Sequence, residues 1–421
     1  MTRPETVSVP TPITDDEPAE SATVDVVIVG GGPVGLIAAL ALSRLRGLEV
    51  VLVEREPLDS TVSETPAQTA HAFDGRVLAL TRGSCAFLDR LGLTASLAQH
   101  WTQITQVHVS QKGFMGISQL SAQQMQVSAL GYSIEGRHLG ALLWQHVEAS
   151  DKIQVYRPAT LAAAKAHAEG VDCDLQSADG DLTSLKARLL IGADGTQSTV
   201  RQLFEMPIET KSYDAVAVLS QIHFEQPHRG VAYERFCQQG PVALLPMDGD
   251  QGKSAKAVWV MSPQDWATVQ HWDEATFLKG FSQQMGERMG AYQSVSARMA
   301  YPLKETVCPQ LYQTRVLLLG NAAHTQHPVA AQGLNLGIDD VRQACEALSD
   351  TDVGATLGLY HYAQQRQAHY QTIMGMTDRL IDLFGHSAPM AGHLRGLGLM
   401  AVQFVGPIRR QLMRTMMGAK K

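Results

Sequence analysis

Charge is scarce in this chain of 421 residues: Asp, Glu, Lys and Arg together make up 18%, against roughly 25% in ordinary soluble domains. With 45% hydrophobic residues, this excludes a disordered protein, because there is ample apolar surface to drive folding. It points to a large core and to an apolar surface or ligand. Long basic runs are missing and the net charge is −7, which argues against nucleic acid as a partner. Cysteine is limited to Cys85, Cys173, Cys237, Cys308 and Cys345, an odd count with no C-x-x-C pair. That argues against a disulfide framework or a zinc site, and for small buried thiols in a reducing cytoplasm. A secretion signal is missing too. The first 22 residues carry Pro4, Pro10, Pro12, Pro18 and the acidic Asp15, Asp16 and Glu17, so they read as a solvated tail. Nor is there an unbroken membrane span: Val26 to Ser43 holds no charge, but Gly30, Gly31, Gly32 and Pro33 break it. At roughly 150 residues per domain, two to three lobes are expected.

That broken run carries the first chemical motif. Val26 to Val29 reads as a buried strand, and a helix follows from about Val34 to Arg44. Between them lies Gly30-x-Gly32-x-x-Gly35. Gly30 permits a tight turn, Gly32 lets backbone approach a pyrophosphate, and Gly35 lets helix pack on strand. The helix N-terminus points its positive end at the phosphates. Alone the pattern is weak, but a second strand, Val50 to Val53, ends at Glu54. A carboxylate there can accept ribose hydroxyls, and the adjacent Arg55 leaves a 2′-phosphate open. No second fingerprint of this kind follows, which favours one tightly bound dinucleotide.

Two later segments repeat the strand-to-turn-to-helix pattern. In LIGADGTQSTVR a strand (Ala187 to Ile191) runs into Asp194-Gly195, and Ser198 and Arg201 open a helix. In RVLLLGNAAHTQHPVAAQGLNLGIDD a strand (Val316 to Leu319) ends at Gly320-Asn321. A loop with Pro328, Gln332 and Gly333 follows, then a helix from about Asn335 whose free N–H groups can face negative charge.

In this order, the three segments resemble the class A flavoprotein monooxygenases, the aromatic hydroxylases related to p-hydroxybenzoate hydroxylase. The resemblance implies that the first motif holds the FAD pyrophosphate and ribose. The second would lie near the pyrophosphate and the path of NAD(P)H, and the third would hold the ribityl chain and flavin ring. Asn321 stands where the wider family has Asp, and Ala331 where it usually has Gly. That variant is similar to the ubiquinone-biosynthesis hydroxylases, nearest to the 2-polyprenyl-6-methoxyphenol hydroxylase branch. FDGRVLALTRGSCAFLDRLGL and GYSIEGRHLGALLW match further segments of that branch and would bring Arg76 and Arg137 near the flavin. YERFCQQGPVALLPM resembles its E-R-F…G-P-x-A-L-L-P segment.

The fold class expected is α/β: a Rossmann-like FAD-binding domain of the p-hydroxybenzoate hydroxylase type, an interleaved sheet-rich substrate domain, and C-terminal helices. The FAD domain would comprise 24–98, 132–210 and 303–352, the substrate domain 99–131 and 211–302, with a disordered tail at 1–23 and a helical region at 353–421. Strands are expected at Ala215 to Phe224 and Ala255 to Met261, and a helix over 274–290. Tyr360 and Arg366 resemble a family Y-x-x-x-R surface.

By resemblance, the chain is an enzyme using FAD, NAD(P)H and O2 to hydroxylate a hydrophobic phenol. A polyprenylated phenol of ubiquinone biosynthesis is the leading substrate. Another ring position, a small soluble aromatic, or a non-catalytic FAD-binding scaffold are the alternatives. The helix N-terminus at Gly333, Leu334 and Asn335 would stabilise negative charge on the flavin. No catalytic side chain is named. His324 and His327 in the flavin loop read mainly as loop histidines, and Tyr213, His223 and Arg235 as packing or surface. The apolar, basic C-terminus has an uncharged stretch from Gly396 to Ile408, too short for a span. It reads as a core-packing helix or as a contact with the inner-membrane surface or a biosynthetic complex. The location expected is the cytoplasm, peripheral to the inner membrane at most.

Overall fold

The structure is a computed structural model that describes residues 23–57, 76–113, 117–325 and 333–385, with the backbone alone for 373, 374 and 376–385. The described residues open with β1 (Thr23–Val29), α1 (Pro33–Arg46) and β2 (Val50–Val53). Every residue of Val-Val-Leu-Val in β2 is buried, as a parallel strand covered on both faces requires. Pro33 starts α1 where its missing N–H costs nothing, and Gly47 ends it in the left-handed region (φ 69°). The helix interior is apolar all round, because Leu36 to Leu42 are buried between sheet and neighbouring helices.

Next come β3 (Val77–Thr81), α2 (Arg82–Arg90), α3 (Thr94–Leu97), β4 (Thr102–Ile104), β5 (Gln106–Gln111), β6 (Ile117–Ser121), β7 (Gly131–Glu135) and α4 (Gly136–Glu148). After β8 (Ile153–Tyr156), an antiparallel ribbon of β9 (Ala159–Ala166) and β10 (Val171–Ser177) leads into β11 (Leu182–Gly192) and the short α5 (Thr199–Leu203). The chain then forms β12 (Glu209–Phe224), β13 (Val231–Cys237), β14 (Gly240–Pro246) and β15 (Ser254–Met261). The helices α6 (Pro263–Val269) and α7 (Glu274–Met285) follow, then β16 (Tyr292–Val295) and β17 (Met299–Val307). The last elements among the described residues are β18 (Tyr312–Gln313), β19 (Val316–Leu318), β20 (His324–Thr325), α8 (Gly333–Ala347) and α9 (Thr356–Gly385).

Among the described residues three sheets result. The first runs β18-β19-β11-β1-β2-β8, with the β9–β10 ribbon on β11. Its five strands β19, β11, β1, β2 and β8 are mutually parallel, so their C-terminal ends meet along one edge. The second runs β20-β17-β12-β15-β14-β13-β5-β6, with β16 on β12. One of its faces is sealed by α6 and α7 through Val218, Trp259, Phe277, Phe281 and Met285. The third is the small β3-β7-β4 sheet.

Several sequence expectations are corrected. Strand β12 starts at Glu209 rather than Ala215, and β17 runs across position 303, so both strands cross the expected domain boundaries at 210/211 and 302/303. Thr23, expected in the tail, is the first residue of β1. Helix α7 stops at Met285 because Gly286 turns away at φ 82°. Arg366 is no surface residue: it is 0% exposed, and so is Tyr362, four residues before it. The Y-x-x-x-R pair is therefore Tyr362–Arg366, while Tyr360 is exposed. The C-terminal stretch Gly396 to Ile408 lies outside the described residues.

Candidate active site

The parallel edge gathers the sequence motifs. Gly30 follows β1, Glu54 follows β2, Arg157 follows β8, Asp194 lies just past β11, and Gly320-Asn321 follow β19. This is the crevice beyond the carboxyl ends of parallel strands where α/β sheets bind nucleotides.

The glycine turn is tightly packed. Gly30 has φ 112°, and a Cβ there would lie 2.4 Å from the Ala193 carbonyl oxygen. A Cβ on Gly35 would lie 1.9 Å from the Gly30 oxygen. Gly32 differs: as N-cap of α1 it has φ −72° and ψ 175°, a conformation open to any residue. Any need for glycine there comes from what approaches it. Gly31, which sequence reasoning did not single out, would push a Cβ to 2.5 Å from Trp144 and 2.7 Å from the Glu54 carboxylate. The run of three glycines was the available signal.

Glu54 closes the loop. One carboxylate oxygen accepts from the Gly31 N–H and the other from the Glu56 N–H at 2.8 Å. Arg157, also missed, stacks its guanidinium 4.2 Å from the Trp144 ring centroid and donates to the Glu56 and Pro57 carbonyls. Nothing local in the sequence marks Arg157; only the β2–β8 pairing brings it beside the segment that follows Glu54. Arg55 points outward, 76% exposed, against Glu56.

At the second motif, Asp194 Oδ2 accepts from Thr199 N (2.6 Å) and Val200 N (3.2 Å). Ser198 Oγ accepts from Arg201 N at 3.0 Å, as an N-cap should. Burial pushes the Asp194 carboxyl up, against the lowering effect of its donors. Arg201 is buried and donates to Ala322 O and Thr196 O, tying the second motif to the third.

At the third motif, Gly320 N and His324 Nε2 both lie 2.8 Å from Asp340 Oδ2 on α8. Burial alone would raise the Asp340 carboxyl; Arg366 and His324 outweigh it and hold it below the usual range. Asn321 is exposed at the crevice. The Asn335 side chain turns away from it: Oδ1 accepts from Thr81 N and Ser84 Oγ, and Nδ2 donates to Ala79 O. Its amide thus anchors α8 to β3, leaving its backbone for the crevice. Gly333 begins α8 and Leu334 packs on the core. Pro328, Gln332 and His327 lie outside the described residues.

Arg76 lies 6.0 Å from the Tyr301 ring of β17, so it bridges the small β3-β7-β4 sheet and the second sheet. Arg137 pairs with Glu135 at 2.8 Å and is 53% exposed. Of the weighed side chains, Tyr213 donates to Glu305 (2.8 Å), His223 faces Asp250 (2.9 Å), and Arg235 donates to the Met285 carbonyl.

Several features fit a bound dinucleotide. Asp194 Oδ1, an Arg157 terminal nitrogen and His324 Nδ1 are buried without hydrogen-bond partners among the described residues. A Cβ on Gly195 or Gly333 would meet nothing within 4 Å. Unsatisfied polar atoms of this kind are costly unless a ligand or water completes them.

A parallel sheet with a glycine turn, an acidic residue after the second strand and an anion-facing helix at the switch point define a dinucleotide-binding fold. The chain belongs to the FAD binding domain family, which it matches over residues 23–377, and it is an FAD-dependent monooxygenase of that family. It is 31% identical to the ubiquinone hydroxylase UbiL of Rhodospirillum rubrum, covering 94% of this chain and 90% of that one. It is 28% identical to the 3-demethoxyubiquinol 3-hydroxylase of Escherichia coli, covering 94% and 98%. The fold is that of p-nitrophenol 4-monooxygenase PnpA from Pseudomonas putida, with a TM-score of 0.76 at 19% identity over 95% of this chain and all of that one.

Proposed function

We propose that this protein hydroxylates a polyprenylated phenol in ubiquinone biosynthesis, taking 2-polyprenyl-6-methoxyphenol to the 1,4-benzoquinol with NAD(P)H and O2. Similarity to UbiL along 94% of the chain is the observation that carries this reading. The Asn321 form of the third motif supports it.

When bound, FAD supplies the redox chemistry: hydride uptake from NAD(P)H and delivery of one atom of O2 to an electron-rich ring. The protein supplies position and electrostatics. The Gly30–Gly32–Gly35 turn and the N-terminus of α1 would take the pyrophosphate. Glu54 would accept ribose hydroxyls, with Arg157 completing that wall and Arg55 at its rim. Asp194 and Gly195 would lie along the pyrophosphate, and Asn321 against the ribityl chain. Backbone N–H groups of Gly333, Leu334 and Asn335, preceded by Pro328 and Gln332, would steady negative charge on the flavin ring. Arg76 and Arg137 would close the crevice from the small-sheet side. A cytoplasmic enzyme working at the inner-membrane face suits a lipid-tailed substrate, with the C-terminal region as the contact to the membrane or a biosynthetic complex. No helix of the described residues is long and apolar enough to cross a membrane.

The name of the Escherichia coli relative favours a second reading, hydroxylation at another position of a prenylated ring. Flavin-loaded protein, NAD(P)H and each prenylated phenol, followed by mass spectrometry, distinguish the two. The expected product carries one added oxygen atom. Prenylated phenol should bind far better than the bare phenol, by up to about 0.8 kcal/mol per buried CH2. Equal affinities would refute the prenylated-substrate reading, and absence of hydroxylated product from every prenylated phenol would turn the search to a small soluble aromatic.

A further inference from the structure

The second sheet has one sealed face and one accessible face. Tyr233, Arg235 and Cys237 of β13 point to the sealed side: Tyr233 packs with the α7 cluster, Arg235 donates to Met285 O, and Cys237 donates to Gln284 O. Alternation along a strand then places Glu234 on the other side. Cross-strand partners share a face. Glu234 pairs with Ala243, Ala243 with Val258, Val258 with Leu219, and Leu219 with Met299. On the other side of Glu234 stands Val109 of β5. The adjacent ladder on this face holds Val260, Ala217 and Tyr301, and Tyr301 is the residue that meets Arg76. The wall containing Glu234 is therefore the one turned toward the flavin-side elements.

The wall is apolar and half-buried. Ala243, Val258, Leu219 and Met299 each keep part of their surface accessible, unlike Val242, Val218 and Trp259 on the sealed face, which are at most 4% exposed. A carboxyl set among such side chains needs a reason, because burying a charge without a partner is costly. Glu234 has no hydrogen-bond or ion-pair partner among the described residues. A cation on its face, Lys256, stands two strands away by register, where it pairs with Leu245 and Gln221. The polar group of β5 on this face is Gln111, beside Phe236, with its side-chain oxygen buried and unpartnered.

We propose that the phenol ring of the substrate lies on this wall and that Glu234 is the base that takes its hydroxyl proton. The proposal rests on the hydroxylase reading above and adds the missing catalytic side chain. In the step, the phenol O–H bond breaks, the proton bonds to a Glu234 carboxylate oxygen, and the electron pair stays on the phenol oxygen. The ring becomes richer in electrons at the carbon that accepts oxygen. The proton then leaves to water through the accessible side of the carboxyl. Burial pushes this carboxyl up to about 7, the range in which a general base works best at neutral pH.

Glu234→Gln in the flavin-loaded enzyme tests this. With the prenylated phenol, kcat should fall by about 10²–10⁴. The wild-type loss of kcat/KM below pH about 7 should vanish in the variant. Glu234→Asp should keep that acid limb at reduced kcat. A second arm needs no turnover. A simple alkylphenol stays neutral between pH 5.5 and 8.5, on the order of its ordinary acidity. Its affinity for wild type, read by calorimetry, should rise roughly fivefold through neutrality as the carboxylate becomes the better acceptor. It should be flat with pH in Glu234→Gln. Flavin content of each variant checks the fold. A variant with wild-type kcat and an unchanged acid limb, or alkylphenol binding that ignores pH in the wild type, overturns the proposal. If the wild type hydroxylates no prenylated phenol, the substrate reading fails, and the binding arm still decides on Glu234.

Discussion

Arg366 and Asp340 meet where neither has any exposed side chain, with Arg366 Nε 2.6 Å from Asp340 Oδ1. Tyr370 donates to that same oxygen at 2.6 Å, and Arg366 also reaches Asp339 and the Leu336 carbonyl. The pair joins α9 to α8, and through Asp340 Oδ2 it holds Gly320 and His324 beside the crevice. A helix remote from the crevice in sequence thus sets the shape of the third motif.

Arg366→Met should leave Asp340 buried without its cation. Breaking such a pair from one side costs about 3–5 kcal/mol. Urea denaturation should show that loss, and flavin content should fall with it. A variant as stable as wild type would mean the pair contributes nothing net.

Acid should weaken the same network. Burial alone would raise Asp339 and Asp340, but for Asp339 the His369 and Arg366 partners, and for Asp340 the Arg366 and His324 partners, hold both below the usual range. Below the unfolded carboxylate value of roughly 4, the unfolded chain binds more protons than the folded one, so stability drops as pH falls. The contribution is fully present above that pH. The urea midpoint should decline between about pH 5 and pH 2 and stay level for these two groups between pH 5 and 7.

Two glycines of the fingerprint should fail differently. Gly35→Ala drives a Cβ into the Gly30 carbonyl at 1.9 Å, so the protein should be destabilised and lose flavin. Gly32 has ordinary angles at an N-cap, where Asp is a favoured residue. Gly32→Asp should therefore fold normally by circular dichroism yet purify colourless, because its charge faces the pyrophosphate. Retained stoichiometric flavin in Gly32→Asp would sink the assignment of this turn.

Asn321→Asp should keep its flavin. The side chain is exposed, so a new charge there is cheaply solvated, and the change should alter the visible flavin spectrum little. Asp194→Ala should behave otherwise. Losing the carboxylate that accepts from the Thr199 and Val200 N–H groups at the start of α5 should cost about 0.5–2 kcal/mol, visible as a lower melting temperature, and flavin should dissociate more readily on dilution.

All five cysteines are buried. Burial pushes the thiols of Cys85, Cys173 and Cys345 up to about 12, and the thiolate is the reactive form. The native protein should resist a thiol reagent at pH 8, and the urea-unfolded protein should react at all five. Rapid labelling of the folded chain would contradict the core placement.

Much of the flavin-side fold was legible because it is built from local patterns. Val50 to Val53 is a run only a buried strand tolerates, and Gly30-x-Gly32-x-x-Gly35 sits where strand must turn into helix. Ser198 announces its helix by capping chemistry alone. Composition likewise anticipated the buried thiols. The long β12 was cut short because Glu209 to Tyr213 carries polar residues whose strand character comes from pairing with β17, not from alternation.

What stayed hidden is what distant strands and helices bring together. Arg157 reaches the carbonyls of Glu56 and Pro57, just past Glu54, through a pairing across a hundred residues, and Arg366 is drawn inward by two aspartates on another helix. The helix start marks Asn335 only for its backbone N–H, and nothing nearby announces that its side chain clasps β3. Glu234 sat in a recognisable segment, but only register across five strands shows which face it occupies. Turns, caps and apolar runs are written in neighbouring residues, because their physics acts within a few bonds. The face a strand residue presents, and the partner a buried charge finds, depend on contacts whose members the chain separates and only packing reunites.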